Sequence, residues 1–549
     1  MTIKTSWVLP PQSIGGLDHI GTQGPCILIY SRLLPGITNV TDRARYYSFY
    51  PWLIWSYAAR YNNRENFNAF LETYRKADCL FTMIAERHAQ VKGDDAACHG
   101  PAMVGRDTLN DAVKLIGEGK SVRLSTYATR EVSSKRYFAN KLGGLGQYYA
   151  GTLTQLDILA AVEKPWLSYT HERGGPIAQA FDMGVDGFIF WQAVDADIVS
   201  AQTLDALEDF CPCCLPRRQN ERDALLDILF DRRSEFEAEG VQRRKSLALL
   251  LYLVSELQAV QFPAFNEQTF RAAVYTETLP NGTAWCPPAS LSNTRSAWAY
   301  YVRNDLMSVA MQKAFAISLA ALATEPTPPS SIEEFSQLLA SRPDLIKALS
   351  KLKAKTFGAL CNSLKSEAPA LADFTADGHE LAWAAARVSR ERQQLDLDPE
   401  FLASVVNLLA TLRMREHLDG PAYGPFPVDS VQLQDSPINL SSFRERCEKW
   451  RDMTLSAVVE DLVSWVLETH LHVALRKLRQ SSTATFRIHP TERGIEARGD
   501  VPTPAKTNPR VRQAIKILWD VGALAREPDG SGDLRATTLG VQLFESAHE

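Results

Sequence analysis

The stretch from Thr507 to Phe544 carries the strongest local signal in the chain: helix, glycine stop, hairpin, helix. Asn508 is a good N-cap, and Pro509 suits the first helical position, where its missing N–H costs nothing. Val511, Ala514, Ile515, Leu518 and Trp519 recur at helical spacing, and Gly522 supplies a left-handed stop. Ala523-Leu524-Ala525, the tip Asp529-Gly530-Ser531-Gly532, and Leu534 to Thr537 read as a short hairpin. An apolar helix follows through Val541, Leu543 and Phe544.

This order resembles the second half of a winged-helix domain, in which the helix before the wing is the usual recognition helix. The resemblance implies that Arg510, Arg512 and Lys516 lie on an outer face suited to phosphate contact. Charge points the same way. Between Leu475 and Lys516 ten cations (Arg476, Lys477, Arg479, Arg487, Arg493, Arg498, Lys506, Arg510, Arg512, Lys516) stand against Glu492, Glu496 and Asp500. That is a local excess of seven in a chain of net charge -5, and counterion release from a nucleic-acid backbone would favour binding it. The candidate nucleic-acid contacts are therefore Arg476, Lys477, Arg479, Arg487, Lys506, Arg510, Arg512 and Lys516, with double-stranded DNA as the expected ligand. Docking of an acidic partner protein, or solubility alone, explains the same charges.

The remaining sequence predicts a mainly α, multi-domain helical protein with one or two winged-helix-like modules of helix plus β-hairpin. Its 549 residues suit several domains, and 45% hydrophobic with 22% charged residues is the balance of a folded soluble chain. We divide it at 1–134 (aromatic-rich, helical), 135–200 (a second winged-helix-like candidate), 201–325 and 326–480 (helical), and 481–549. Thr41-Asp42 should cap a helix through Tyr46, Tyr47, Phe49, Tyr50, Trp52 and Trp55, kinked at Pro51, whose aromatics form core. Within 135–183, a helix over 137–150, a strand ending in Thr170, the Gly174-Gly175 pair and an apolar helix repeat the theme of the C-terminus. Ser331 and Glu334 make a capping box, 442–479 reads as one long helix, and 418–441 as a connector. Scattered cysteines, no apolar core in Met1–Trp7, and a longest apolar run of Leu247 to Val254 point to a reduced cytoplasmic protein with no membrane span.

No catalytic motif emerges. Gly117-Glu-Gly119-Lys120-Ser121 lacks the first glycine and the preceding strand of a P-loop, so both glycines read as a helix C-terminus. Cys211-Pro-Cys213-Cys214 is the tightest thiol cluster, but no second pair lies near, Cys286 and His171 being far along the chain. Cys98-His99 adjacency is weak, because catalytic pairs meet in space. His470 and His472 face different directions on a helix, one of them a core histidine. Glu333, Glu334, Glu460 and Asp461 read as solvated faces, and the mixed charges of Arg217 to Lys245 as salt-bridged surface helices. We therefore assign no catalytic residue, no metal ligand and no cofactor.

The stretch Leu33 to Leu53 is similar to bacterial proteins of phage-defence loci, a likeness that transfers no site. The expectation is a non-catalytic DNA-binding or DNA-sensing subunit of a larger bacterial assembly, with protein partners, in anti-phage defence. The alternatives are a protein-interaction scaffold using its winged-helix modules, and a nuclease whose site forms only in the fold.

Overall fold

The computed structural model describes residues 18–61, 66–92, 99, 101–161, 167–262, 265–388, 396–419, 436–481, 484–526 and 533–548. They are 64% helix and 6% strand, and the named strands form only two-stranded antiparallel pairs, so the mainly α class holds. The tip at Asp529–Gly532, most of the 418–441 connector, Cys98 and Met1–Trp7 lie outside the described residues.

Contacts gather the chain into two units, each assembled from separated stretches. One comprises Ser31–Glu267, Pro287–Thr294 and Arg510–Glu549; the other comprises Met1–Tyr30, Gln268–Cys286 and Arg295–Pro509.

The first unit is built on the Tyr46–Arg60 helix. Tyr46, Tyr47, Phe49, Tyr50 and Trp52 are each at most 1% exposed, and Phe49 stacks on Phe81 with centroids 3.9 Å apart, so these aromatics are core as expected. The helix runs on through Pro51, which leaves the chain within one helix although its missing N–H removes one intrahelical hydrogen bond. Its start differs from expectation. Arg45 occupies the N-cap without a side-chain capping hydrogen bond, Thr41 Oγ1 accepts the Thr38 N–H at 2.8 Å, and Asp42 pairs with Lys516. The buried ion pairs of Arg43 and Arg45 fix this backbone, and they override the local capping signal.

Two helix–hairpin–helix segments lie in this unit. The earlier one has helical turns over Leu145–Tyr149 and Ala150–Gln155, strands Leu159–Ala161 and Leu167–Tyr169, and the helix Gly174–Asp182. Its first helix begins eight residues later than the expected 137. Arg75 draws the carbonyls of Phe138 and Asn140 onto its guanidinium at 2.9 and 2.6 Å, which keeps that backbone out of a helix. The later segment has helix Val511–Asp520, strands Leu524–Arg526 and Leu534–Ala536, and helix Thr538–His548. Here the N-cap is Arg510 at φ +64°, not Asn508, so the helix starts two residues past Pro509. Gly522 does adopt the left-handed stop, at φ +78°, with the Gly522 and Ala523 N–H groups on the Trp519 and Leu518 carbonyls.

In the second unit Ser331 caps the Ile332–Ala340 helix as expected, but Glu334 reaches back to the N–H and hydroxyl of Ser330, one residue short of a reciprocal box. The helix expected over 442–479 is two, Leu440–Trp450 and Leu455–Ser481. Between them the Arg451 and Met453 carbonyls accept N–H groups of Gly358 and Phe357, a tertiary pairing that a continuous helix would forbid. The expected strand near 485–489 becomes the hairpin Ile488–Thr491 with Gly494–Ala497. The helix Ala289–Ala323 is long and apolar enough to cross a membrane by length and composition, yet 83% of its most apolar window is buried in the fold, as in a core helix.

Candidate metal centre and the predicted basic interface

The aromatic unit brings together two imidazoles and two thiols that are scattered in sequence. His88 sits near the end of the Phe67–Lys92 helix, His99 follows it, and Cys211 and Cys213 open the Pro212–Arg217 turn. Cys213 Sγ lies 3.3 Å from His88 Nδ1, and Cys211 Sγ lies 3.3 Å from His99 Nδ1. The imidazole centroids are 4.8 Å apart and nearly perpendicular, at 83°. Among the described residues this is the single group of three or more His, Cys, Asp or Glu side chains whose donor atoms converge, all within 4.8 Å. His88, His99 and Cys211 are buried and Cys213 is half-buried.

Two buried arginines hold the backbone that presents these groups. Arg43 Nη1 donates to the carbonyls of His99 and Pro101, both at 3.0 Å. Arg45 Nη1 donates to the carbonyls of Asp209 and Cys211 at 2.6 and 2.5 Å. Each guanidinium turns its other edge to a carboxylate, Arg43 to Asp520 and Arg45 to Glu221, both pairs buried. The five-donor fork of arginine makes this double use geometrically natural. Beside the cluster a cavity of about 490 Å³ is lined by Lys92, Glu208, Asp209, Arg217 and Arg218, together with His88, His99, Cys213 and Cys214.

The sequence singled out Cys211-Pro-Cys213-Cys214 without a second pair nearby, leaving metal binding to depend on proximity in the fold; the fold brings His88 and His99 to it. Cys286 is exposed, and His171 rests edge-on against Tyr169. Cys214 donates its thiol to the Glu208 carbonyl at 3.6 Å. His88 had no signal, since nothing in a helix of mixed polarity marks it as a donor to a turn 125 residues away.

The predicted basic residues are used differently from one another. Arg510 donates to the carbonyls of Ile37 and Leu34 at 2.7 and 3.4 Å, and Lys516 binds Asp42 at 3.0 Å. Gln513 on the same helix donates to the Asn39 carbonyl at 3.1 Å, while Arg512 is exposed. In the other unit Lys477 is buried, with Nζ 2.6 Å from the Asp18 carbonyl. Arg476, Arg487 and Lys506 are half-buried, whereas Arg479, Arg493 and Arg498 are exposed. His470 is the core histidine of its pair and His472 is exposed. Asp461 accepts from Arg446, Lys449 and Trp450 Nε1, a structural carboxylate. Three members of the mixed 217–245 cluster depart from the surface expectation: Glu221, Asp231 and Arg243 are buried, Arg243 donating to the Ile228, Leu229 and Pro35 carbonyls.

A further cleft, of about 750 Å³, opens on the same unit between the Tyr46–Arg60 and Gly187–Ala196 helices. Trp52, Trp55 and Trp191 line it, with Arg60, Arg218, Asp182, Asp186 and Asp209, and at its rim Met183 and Phe188 are 67% and 65% exposed. Trp52 Nε1 donates to Asp182 at 2.8 Å, which fixes one wall.

No protein family model, no curated protein and no solved structure matches this chain.

Proposed function

We propose that the chain is a non-catalytic scaffold subunit of a larger assembly, one that holds partner proteins. The carrying observation is the tryptophan-lined cleft with exposed Met183 and Phe188 at its rim. Apolar side chains grouped at one cleft, unlike ones scattered singly, mark interaction sites, and aromatic, Met and Arg side chains are the ones enriched in protein interfaces. The fitting partner presents an apolar anchor flanked by charges of both signs, to meet Arg60 and Arg218 on one hand and Asp182 and Asp186 on the other. The winged-helix likeness suits the same reading, because Gln513, Lys516 and Asp520 of the Val511–Asp520 helix are engaged within its own unit. The likeness of Leu33–Leu53 to phage-defence proteins suggests a bacterial anti-phage assembly as the setting.

The test is co-expression with the products of the adjoining genes, comparing the wild type with Met183→Asp/Phe188→Asp. The double variant should keep its circular dichroism and lose the co-purifying partner. A partner retained by the variant, or no neighbour product bound by the wild type, would refute the reading.

DNA binding is the second reading, favoured by the exposed Arg479, Arg493 and Arg498. Affinity for duplex DNA measured against salt tests it, with a steep slope expected and removal of these three charges flattening it.

A further inference from the structure

We propose that His88, His99, Cys211 and Cys213 bind one zinc ion as a closed structural site. Zinc takes four such donors tetrahedrally, at about 2.3 Å to sulfur and about 2.0 Å to nitrogen, so the edges of its ligand tetrahedron are roughly 3.3–3.8 Å. The two Sγ–Nδ1 separations of 3.3 Å and the 4.8 Å limit over all four donors suit that polyhedron after a small contraction. A two-sulfur, two-nitrogen set selects zinc over the hard cations that prefer oxygen. Charge agrees as well. On binding, each thiol releases its proton, and two thiolates with two neutral imidazoles leave the buried zinc complex without net charge.

The surroundings behave as outer support for a metal. The Glu208 carboxylate stands 3.5 Å from His88 Nε2, the ring nitrogen not turned towards the thiols, as carboxylates commonly do behind metal-bound imidazoles. Arg43 and Arg45 fix the main chain at His99 and Cys211. The rival arrangement is a Cys213–His88–Glu208 nucleophile triad. It gives no role to the second thiol–imidazole pair, Cys211 with His99, turned to the same centre, whereas four-donor coordination uses both. Four protein donors also leave no open position for substrate, which makes the site a staple joining the end of the Phe67–Lys92 helix to the Cys211–Arg217 turn.

The experiment uses the full chain purified without added metal. Elemental analysis should find one zinc per chain, and X-ray absorption at the zinc edge should find two sulfur and two nitrogen neighbours. Cys213→Ser and His88→Gln should each lose most of the zinc at a chelator concentration the wild type withstands, while Cys214→Ser keeps it. Glu208→Gln should bind about tenfold more weakly or worse. If the ligand variants fail to fold, the absorption spectrum of the wild type decides alone. Three results would overturn the proposal: a folded wild type that takes up neither zinc nor cobalt, a zinc shell without sulfur, or rapid alkylation of Cys213 in zinc-loaded native protein.

Discussion

Arg43 and Asp520 stand 477 positions apart and form a buried two-point ion pair, with Nε and Nη2 each 3.0 Å from a carboxylate oxygen. The same carboxylate accepts the Ala44 N–H at 2.9 Å. Through this pair the C-terminal helix–hairpin–helix is tied to the segment that orients the thiol–imidazole cluster. Removing one partner strands the other as a buried charge. Asp520→Ala should therefore destabilise the unit by about 3–5 kcal/mol. Arg512→Ala, at an exposed position, should stay within about 0.5 kcal/mol. Urea unfolding followed by tryptophan fluorescence makes the comparison, and equal midpoints would remove the pair from the account.

His470 gives the second unit an acid sensitivity. Its Nδ1–H donates to the His19 carbonyl at 2.9 Å and its Nε2 accepts the Arg487 N–H at 2.8 Å, so only the neutral ring satisfies both contacts. Burial first of all, with the positive charges of Arg487 and Lys477, pushes its pKa down to about 4, against the favourable bond to His19. His19 is pushed to about 4 too, by burial and then by His470. The unfolded chain binds protons below about pH 6.5 that the folded chain refuses. Stability is thus full above pH 6.5 and falls as pH drops towards 4. Thermal midpoints should decline over that window, and less steeply in His470→Gln. Parallel slopes would count against the buried neutral pair.

Gly522→Ala tests the left-handed stop. At φ +78° an L side chain is strained, and a Cβ there would come within 3.0 Å of Pro216 Cβ. A loss of about 1–2 kcal/mol is expected in denaturant unfolding. A neutral outcome would mean that the backbone at 522 is not held as described.

Replacing Arg510, Arg512 and Lys516 together by Glu separates packing from DNA contact. Lys516→Glu sets two carboxylates against each other at Asp42, and Arg510→Glu abandons the Ile37 carbonyl. The variant should lose stability while the affinity of any residual DNA binding and its salt slope stay unchanged. A stable variant with a flattened slope would restore the recognition-helix role.

Periodic and local features were legible in the sequence. The aromatic core of Tyr46 to Trp52, the stop at Gly522, the hairpin strands after it and the Ser331 cap all rest on side-chain chemistry within a few residues. What failed was whatever a distant group decides. The Val511 start and the Arg45 cap are set by ion pairs and carbonyl contacts, and the break after Trp450 by the backbone at Phe357 and Gly358. The candidate site was half legible. Cys211 and Cys213 stood out as a cluster, but His88 and His99 reach it only through the fold. The same long-range assembly explains why units drawn from three stretches each have no compositional boundary.

The docked state of the Val511–Asp520 helix bears most directly on the scaffold reading, and hydrogen–deuterium exchange of its amides measures it. In the full chain the peptide spanning Ala514 to Leu518 should exchange slowly, show the same uptake when duplex DNA is added, and lose protection in Asp520→Ala. Protection of those amides that appears only with DNA would contradict the account and identify the helix as a DNA-reading element.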